Sequence, residues 1–133
     1  MSIPRILVVD DDVEDHLILK EYFTEAGLDK NVSFKENAEE ALAYLKTLNS
    51  KGLPDLIVLD LNMPLLNGIQ TLALLKENFL LREISVVICS TSNNEAEREK
   101  CLALGASDYI VKPFNWEEGM RMIERFKSFL RSI

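Results

Sequence analysis

The chain has 133 residues, which suits one ordinary domain with one buried core, spanning 1–133. Hydrophobic residues make up 47% and charged residues 28%, and 5 Gly and 4 Pro leave no room for a linker or low-complexity stretch. The net charge of −7 argues against a nucleic-acid surface, and no apolar run approaches the ~20 residues that span a bilayer.

The opening Met-Ser-Ile-Pro-Arg is no secretory signal and leads straight into Ile6-Leu7-Val8-Val9, the first β-type run, which ends at Asp10, Asp11 and Asp12. A cytoplasmic protein is the default expectation. Asp12 reads as the N-cap of the first helix and His16 as a surface residue on it; Gly27 ends that helix. Val32-Ser33-Phe34 is a weaker second run. Asn37 with Glu40 opens the next helix, whose apolar stripe is Ala38, Ala41, Leu42, Leu45 and Leu48. The third run, Leu56-Ile57-Val58-Leu59, ends at Asp60. The fourth, Val86-Val87-Ile88-Cys89, ends in Ser90-Thr91-Ser92. Gly105 closes the fourth helix, and Tyr109-Ile110-Val111 runs into Lys112-Pro113. Asn115 with Glu118 opens the last helix. Cys89 and Cys101 lack metal-type spacing and read as free, apolar thiols.

Five strand-like runs alternate with five helical patterns, and runs one, three and four are apolar throughout. Strands covered on both faces read that way, so a doubly wound α/β fold, (βα)5, with a parallel sheet and right-handed crossovers is predicted. The first strand should lie near the middle, where the winding reverses.

In a parallel sheet all strand C-termini share one edge. Asp10, Asp11, Asp60, Ser90 and Lys112 can therefore converge there. Three carboxylates together call for a hard divalent cation such as Mg²⁺, which takes oxygen ligands. A cation, an ammonium and a hydroxyl suit a phosphoryl group, with Asp60 as the nucleophile. Singly, each residue has a structural explanation: turn acid, cap or solvated lysine. Together at strand ends they point to a site.

These segments resemble the receiver (response regulator) domain of two-component signalling. The resemblance rests on Ile6-Leu7-Val8-Val9-Asp10-Asp11, on Leu59-Asp60-Leu61-Asn62-Met63-Pro64 with Asn67-Gly68, and on Ile88-Cys89-Ser90-Thr91. The last segment is Gly105-Ala106-Ser107-Asp108-Tyr109-Ile110-Val111-Lys112-Pro113-Phe114, and the whole covers about residues 5–129. It implies a flavodoxin-like five-stranded sheet of order 2-1-3-4-5. It also implies that Asp60 is the phosphoacceptor, that Asp10, Asp11 and Asp60 hold Mg²⁺ with the backbone carbonyl of Asn62, and that Ser90 and Lys112 contact the phosphoryl group. Tyr109 would be the aromatic switch that turns inward, Met63 and Thr91 would tune hydrolysis, and the Lys112–Pro113 bond would be cis. Ser90 stands where Thr is commoner, and Leu65-Leu66 makes an unusually apolar loop. The stretch from Glu77 to Glu83 and the run Thr91-Ser92-Asn93-Asn94 resemble the single-domain subfamily associated with bacterial phytochrome-type kinases.

The implied function is a single-domain response regulator. It is phosphorylated by a sensor histidine kinase or a histidine phosphotransfer protein and signals through contacts with a downstream protein. It would not be an enzyme beyond its own phosphorylation and dephosphorylation chemistry, and no output domain, DNA binding or membrane insertion is expected. On the last helix, Met120, Ile123 and Leu130 form an inward stripe, and Met122, Phe126, Phe129 and Ile133 an adjacent one. The second stripe is either extra packing or a homodimer surface. The basic residues Arg121, Arg125, Lys127 and Arg131 read as helix C-terminal cations. The competing readings are a pseudo-receiver that binds without phosphorylation and an enzyme with an aspartyl nucleophile or a flavin. Against the first stands the intact set of acids with Lys112; against a flavin stand the three acids in the loop after the first strand, and against an aspartyl phosphatase the otherwise unexplained Asp60 before Met63-Pro64.

Overall fold

The computed structural model describes residues 5–131. The strands are β1 (Ile6–Val9), β2 (Val32–Lys35), β3 (Leu56–Asp60), β4 (Ser85–Ser90) and β5 (Asp108–Val111). They alternate with helices α1 (Val13–Glu25), α2 (Ala38–Lys46), α3 (Gly68–Glu77), α4 (Glu95–Ala103) and α5 (Trp116–Lys127), and a 3-10 turn at Asp29–Asn31 precedes β2. All pairings are parallel and the order is β2-β1-β3-β4-β5. The expected doubly wound sheet is therefore present. The central strand is β3, and β1 lies beside it at the reversal point.

The apolar runs split by parity, as the period of two in a strand requires. Leu7, Val9, Ile57, Leu59, Val86 and Ile88 face one side and pack with Ala38, Ala41, Leu45, Leu72, Leu75 and Cys101. Ile6, Val8, Val58, Val87 and Ile110 face the other and pack with Tyr22, Phe23, Met122, Ile123 and Phe126. Two-sided burial explains why β1 and β3 show no polar alternation. The outer strands β2 and β5 are only partly buried at their ends or throughout, which is why the second run was weaker in sequence.

The caps form as expected. Asp12, Asn37 and Asn115 accept hydrogen bonds from the N–H groups of Glu14, Glu40 and Glu118. Asn67 and Gln70 make a reciprocal capping box on α3. Gly27 and Gly105 have φ of +75° and +107°, a left-handed conformation that ends α1 and α4 at little cost to glycine.

Three expectations change. His16 is buried rather than at the surface: its ring packs 5.1 Å from Phe34, and its Nε2–H donates to the Asp10 carbonyl (2.6 Å). On α5 both apolar stripes turn inward. Met122, Ile123 and Phe126 are buried, and Met120, Phe129 and Leu130 pack on the same cluster; Ile133 lies outside the described residues. The described residues of the second stripe thus pack in the core, with α5 lying close against α1. A Cβ on Gly119 would collide with the Tyr22 ring. Finally, no peptide bond among the described residues is cis, so Lys112–Pro113 is trans; the two isomers of an X–Pro bond differ by only about 0.5–1 kcal/mol, too little for local sequence to decide.

Candidate functional site

Each strand delivers its last polar residue to one edge. Asp10 follows β1 and is buried; its N–H donates to the Lys35 carbonyl, which holds it in register with β2. Its Oδ1 accepts the N–H of Asp12 (2.9 Å), and Asp12 in turn caps α1. Asp11, between them, is exposed. Asp60 ends β3 and is buried, with the Asn62 N–H 3.4 Å from its Oδ1. Ser90 ends β4, fully buried, and its hydroxyl oxygen accepts the Ser92 N–H. Lys112 follows β5, and its N–H donates to the Ser90 carbonyl (2.7 Å).

The side chains converge as the strand-end argument requires. Carboxylate oxygens of Asp10, Asp11 and Asp60 all lie within 4.8 Å of one another. The Lys112 Nζ lies 3.2 Å from Asp60 and 3.3 Å from Asp10. Its shortest ion pair, 2.7 Å, is with Asp15 in the first turn of α1, a residue that the strand-end argument missed. Helical spacing from the N-cap Asp12 was the available signal. An open cleft of about 350 Å³ lies over the site, lined by Asp11, Asp15, Asp60, Asn62, Thr91, Lys112 and Phe114. Met63 does not line it. It is buried and lines a neighbouring groove with Asp11, Asn62 and Asn67. Thr91 keeps its expected place at the mouth.

Tyr109 already points inward. It is buried, its hydroxyl donates to the Ser92 carbonyl (2.9 Å), and Glu97 lies 3.4 Å away. Burial raises its pKa, although the Ser90 hydroxyl works against that.

The electrostatics are those of a site short of positive charge. Burial pushes the Asp10 carboxyl up to about 7; the Asp12 N–H works against this and the neighbouring Asp60 adds to it. Burial also raises Asp60, opposed by Lys112 and by the Asn62 N–H. Burial disfavours the charge on Lys112, yet Asp15, Asp10 and Asp60 outweigh it and hold its pKa above the ordinary lysine value. One ammonium pairs with three carboxylates, Asp10, Asp15 and Asp60, and a fourth, Asp11, lies beside Asp10 and Asp60. The donors are all oxygen, crowded and open to a cleft, which fits a hard divalent cation better than a soft metal.

Comparison with known proteins agrees with this geometry. The profile of the response regulator receiver domain matches residues 6–124. The transcriptional regulatory protein AruR of Pseudomonas aeruginosa is 35% identical over 98% of this chain, and the match spans 51% of its own length. This chain thus covers about half of that relative. Response regulator Rcp1 of Synechocystis is 30% identical over 93% of this chain and 86% of its own. The crystal structure of its Mn²⁺-bound form superposes with a TM-score of 0.80, covering 96% of this chain and 94% of that one. The phosphorylated cyanobacterial phytochrome response regulator RcpA, 29% identical, superposes with a TM-score of 0.83 over 98% of this chain and 100% of its own.

Proposed function

Since this chain belongs to the response regulator receiver family, we propose that Asp60 accepts a phosphoryl group and that the new charge changes which protein the domain binds. The observation that carries this reading is the placement of Asp60. It is a buried carboxylate at a strand end, 3.2 Å from Lys112 and within 4.8 Å of two further acids. The likeness to phosphorylated RcpA and to Mn²⁺-bound Rcp1 supports the acceptor role and a divalent ion at the acids.

The donor is a phosphohistidine on a sensor histidine kinase or a phosphotransfer protein. An Asp60 oxygen attacks phosphorus, the P–N bond breaks, and the histidine leaves with its electron pair, so Asp60 becomes an acyl phosphate. When bound at Asp10, Asp11 and Asp60, with the Asn62 carbonyl, Mg²⁺ supplies positive charge to the phosphoryl oxygens. Lys112 offers an ammonium to one of those oxygens and Ser90 a hydroxyl to another. The same Ser90 oxygen accepts the Ser92 N–H, in the turn whose carbonyl also holds Tyr109, so a turn of the Ser90 side chain toward the phosphoryl group pulls on that turn. The phosphoryl group is thereby coupled to Tyr109 and to the face of α4, β5 and α5. Water later cleaves the acyl phosphate, with Thr91 at the mouth and Met63 in the neighbouring groove tuning access.

The partner class is a histidine kinase, and the likeness to RcpA favours one of phytochrome type. The output is a protein contact by this domain; catalysis on any outside substrate is not part of the proposal. Two free, buried cysteines suit a cytoplasmic setting. No described helix is long and apolar enough to cross a membrane. The intact set of Asp10, Asp11, Asp60 and Lys112 weighs against a phosphorylation-independent pseudo-receiver.

The test is incubation with Mg²⁺ and acetyl phosphate, followed by intact mass and peptide mapping of wild type and Asp60→Ala. An adduct on Asp60 that alkali or hydroxylamine removes, in wild type alone, is expected. Its absence, together with no binding of beryllofluoride, would overturn the reading.

A further inference from the structure

Asp15 is the carboxylate closest to Lys112, yet it is neither a strand-end acid nor a member of the three-carboxylate cluster. It occupies the third position of α1, counted from the N-cap Asp12. An acid there ordinarily folds back to accept the N–H of the N-cap residue. Here Asp10 Oδ1 already accepts the Asp12 N–H. The Asp15 side chain is released from the helix terminus and reaches Lys112 instead, at 2.7 Å. An ammonium has three protons to donate, and this one faces three carboxylates: Asp15 at 2.7 Å, Asp60 at 3.2 Å and Asp10 at 3.3 Å. To take up a phosphoryl oxygen on Asp60, Lys112 must loosen one of these pairs, and the shortest holds it toward α1.

We infer that Asp15 is a positioning residue that acts through Lys112. It draws the ammonium away from the phosphoryl group on Asp60 and so weakens that grip, while its own charge and its hold on Lys112 favour a cation at Asp10, Asp11 and Asp60. This rests on the phosphoacceptor reading above. The two effects have opposite signs, which separates them from a merely structural contribution. The Asp15 and Lys112 side chains are 27% and 20% exposed, so each effect has the size of a partly screened ion pair.

The experiment compares wild type with Asp15→Asn and Asp15→Ala. Mg²⁺ affinity is measured by isothermal titration. Beryllofluoride affinity is measured by ¹⁹F NMR at saturating Mg²⁺, and thermal melts confirm folding. In both variants Mg²⁺ binding should weaken by about two- to five-fold and beryllofluoride binding should tighten by a similar factor, the scale of such a pair. Unchanged affinities, or two affinities that move in the same direction in a folded variant, would overturn the inference while leaving Asp60 as the acceptor. If wild type binds no beryllofluoride at all, the phosphoacceptor reading fails and this inference fails with it.

Discussion

Gly68 is the position where a single methyl group should reach the site through the backbone. It is the first residue of α3, buried beneath the strand end that carries Asp60. A Cβ there would lie 2.5 Å from the Asp60 carbonyl oxygen and 2.7 Å from the Leu61 Cα. The first of these is about 0.9 Å short of the 3.4 Å at which ordinary contact begins. Both neighbours are backbone, so no rotamer change relieves the clash; α3 or the end of β3 must move. Overpacking of this kind costs ~1–3 kcal/mol, and exchanging a helical glycine for alanine returns at most ~1 kcal/mol. Gly68→Ala should therefore lose about 1–2 kcal/mol, or roughly 3–8 °C of Tm in a domain of this size. It should also bind beryllofluoride more weakly, because the shift displaces Asp60. Gly52→Ala is the control: its nearest contact would be 3.5 Å, which is ordinary packing. Chemical denaturation and ¹⁹F NMR read the two effects. A Gly68→Ala protein as stable as the Gly52→Ala control, with unchanged beryllofluoride affinity, would refute the close-approach argument.

Without metal, stability should fall as pH rises from about 5 to about 7. The folded state holds a proton on Asp10 to about 7, whereas the unfolded chain releases it near 3.8, so the folded state binds more protons in that window. Thermal melts in EDTA should show this slope; Asp10→Asn should flatten it, and Mg²⁺ should raise Tm most at the upper end. A slope that Asp10→Asn leaves unchanged would assign it to another group. Phe126→Ala should cost about 3–5 kcal/mol in urea denaturation, since the ring is fully buried and stacks 6.1 Å from Phe23; a loss under about 1 kcal/mol would restore the α5 stripe as a surface. Cys89 is buried, with its thiol pushed up to about 12, and Cys101 is buried too. Both should resist a thiol reagent in the native state and react at the rate of unfolding; rapid native labelling would show that this edge opens locally.

The alternation of strands and helices, the caps at Asp12, Asn37 and Asn115, and the strand-end positions of Asp10, Asp60, Ser90 and Lys112 were legible from the chain alone. Periodicity, capping and the rule that parallel strands end on one edge are local or topological, and neither needs side-chain coordinates. Which partners those residues choose is a different kind of information. Asp15 meets Lys112 across 97 positions of sequence, and no period or motif encodes that distance. His16 faced the same limit: it lies on α1, a helix with several exposed apolar residues, and only the packing of Phe34 and the Asp10 carbonyl shows that it is inside. The second stripe of α5 could not be divided between core and partner until α1 was placed against it through Gly119 and Tyr22. The sequence by itself determined the alternation of strands and helices and the set of groups at the sheet's edge, because those follow from burial and capping along one strand or helix and from the shared edge of parallel strands. Only the tertiary structure decided how one ammonium is shared among its carboxylates and which apolar faces are covered, because those depend on elements far apart in the chain meeting at fixed distances.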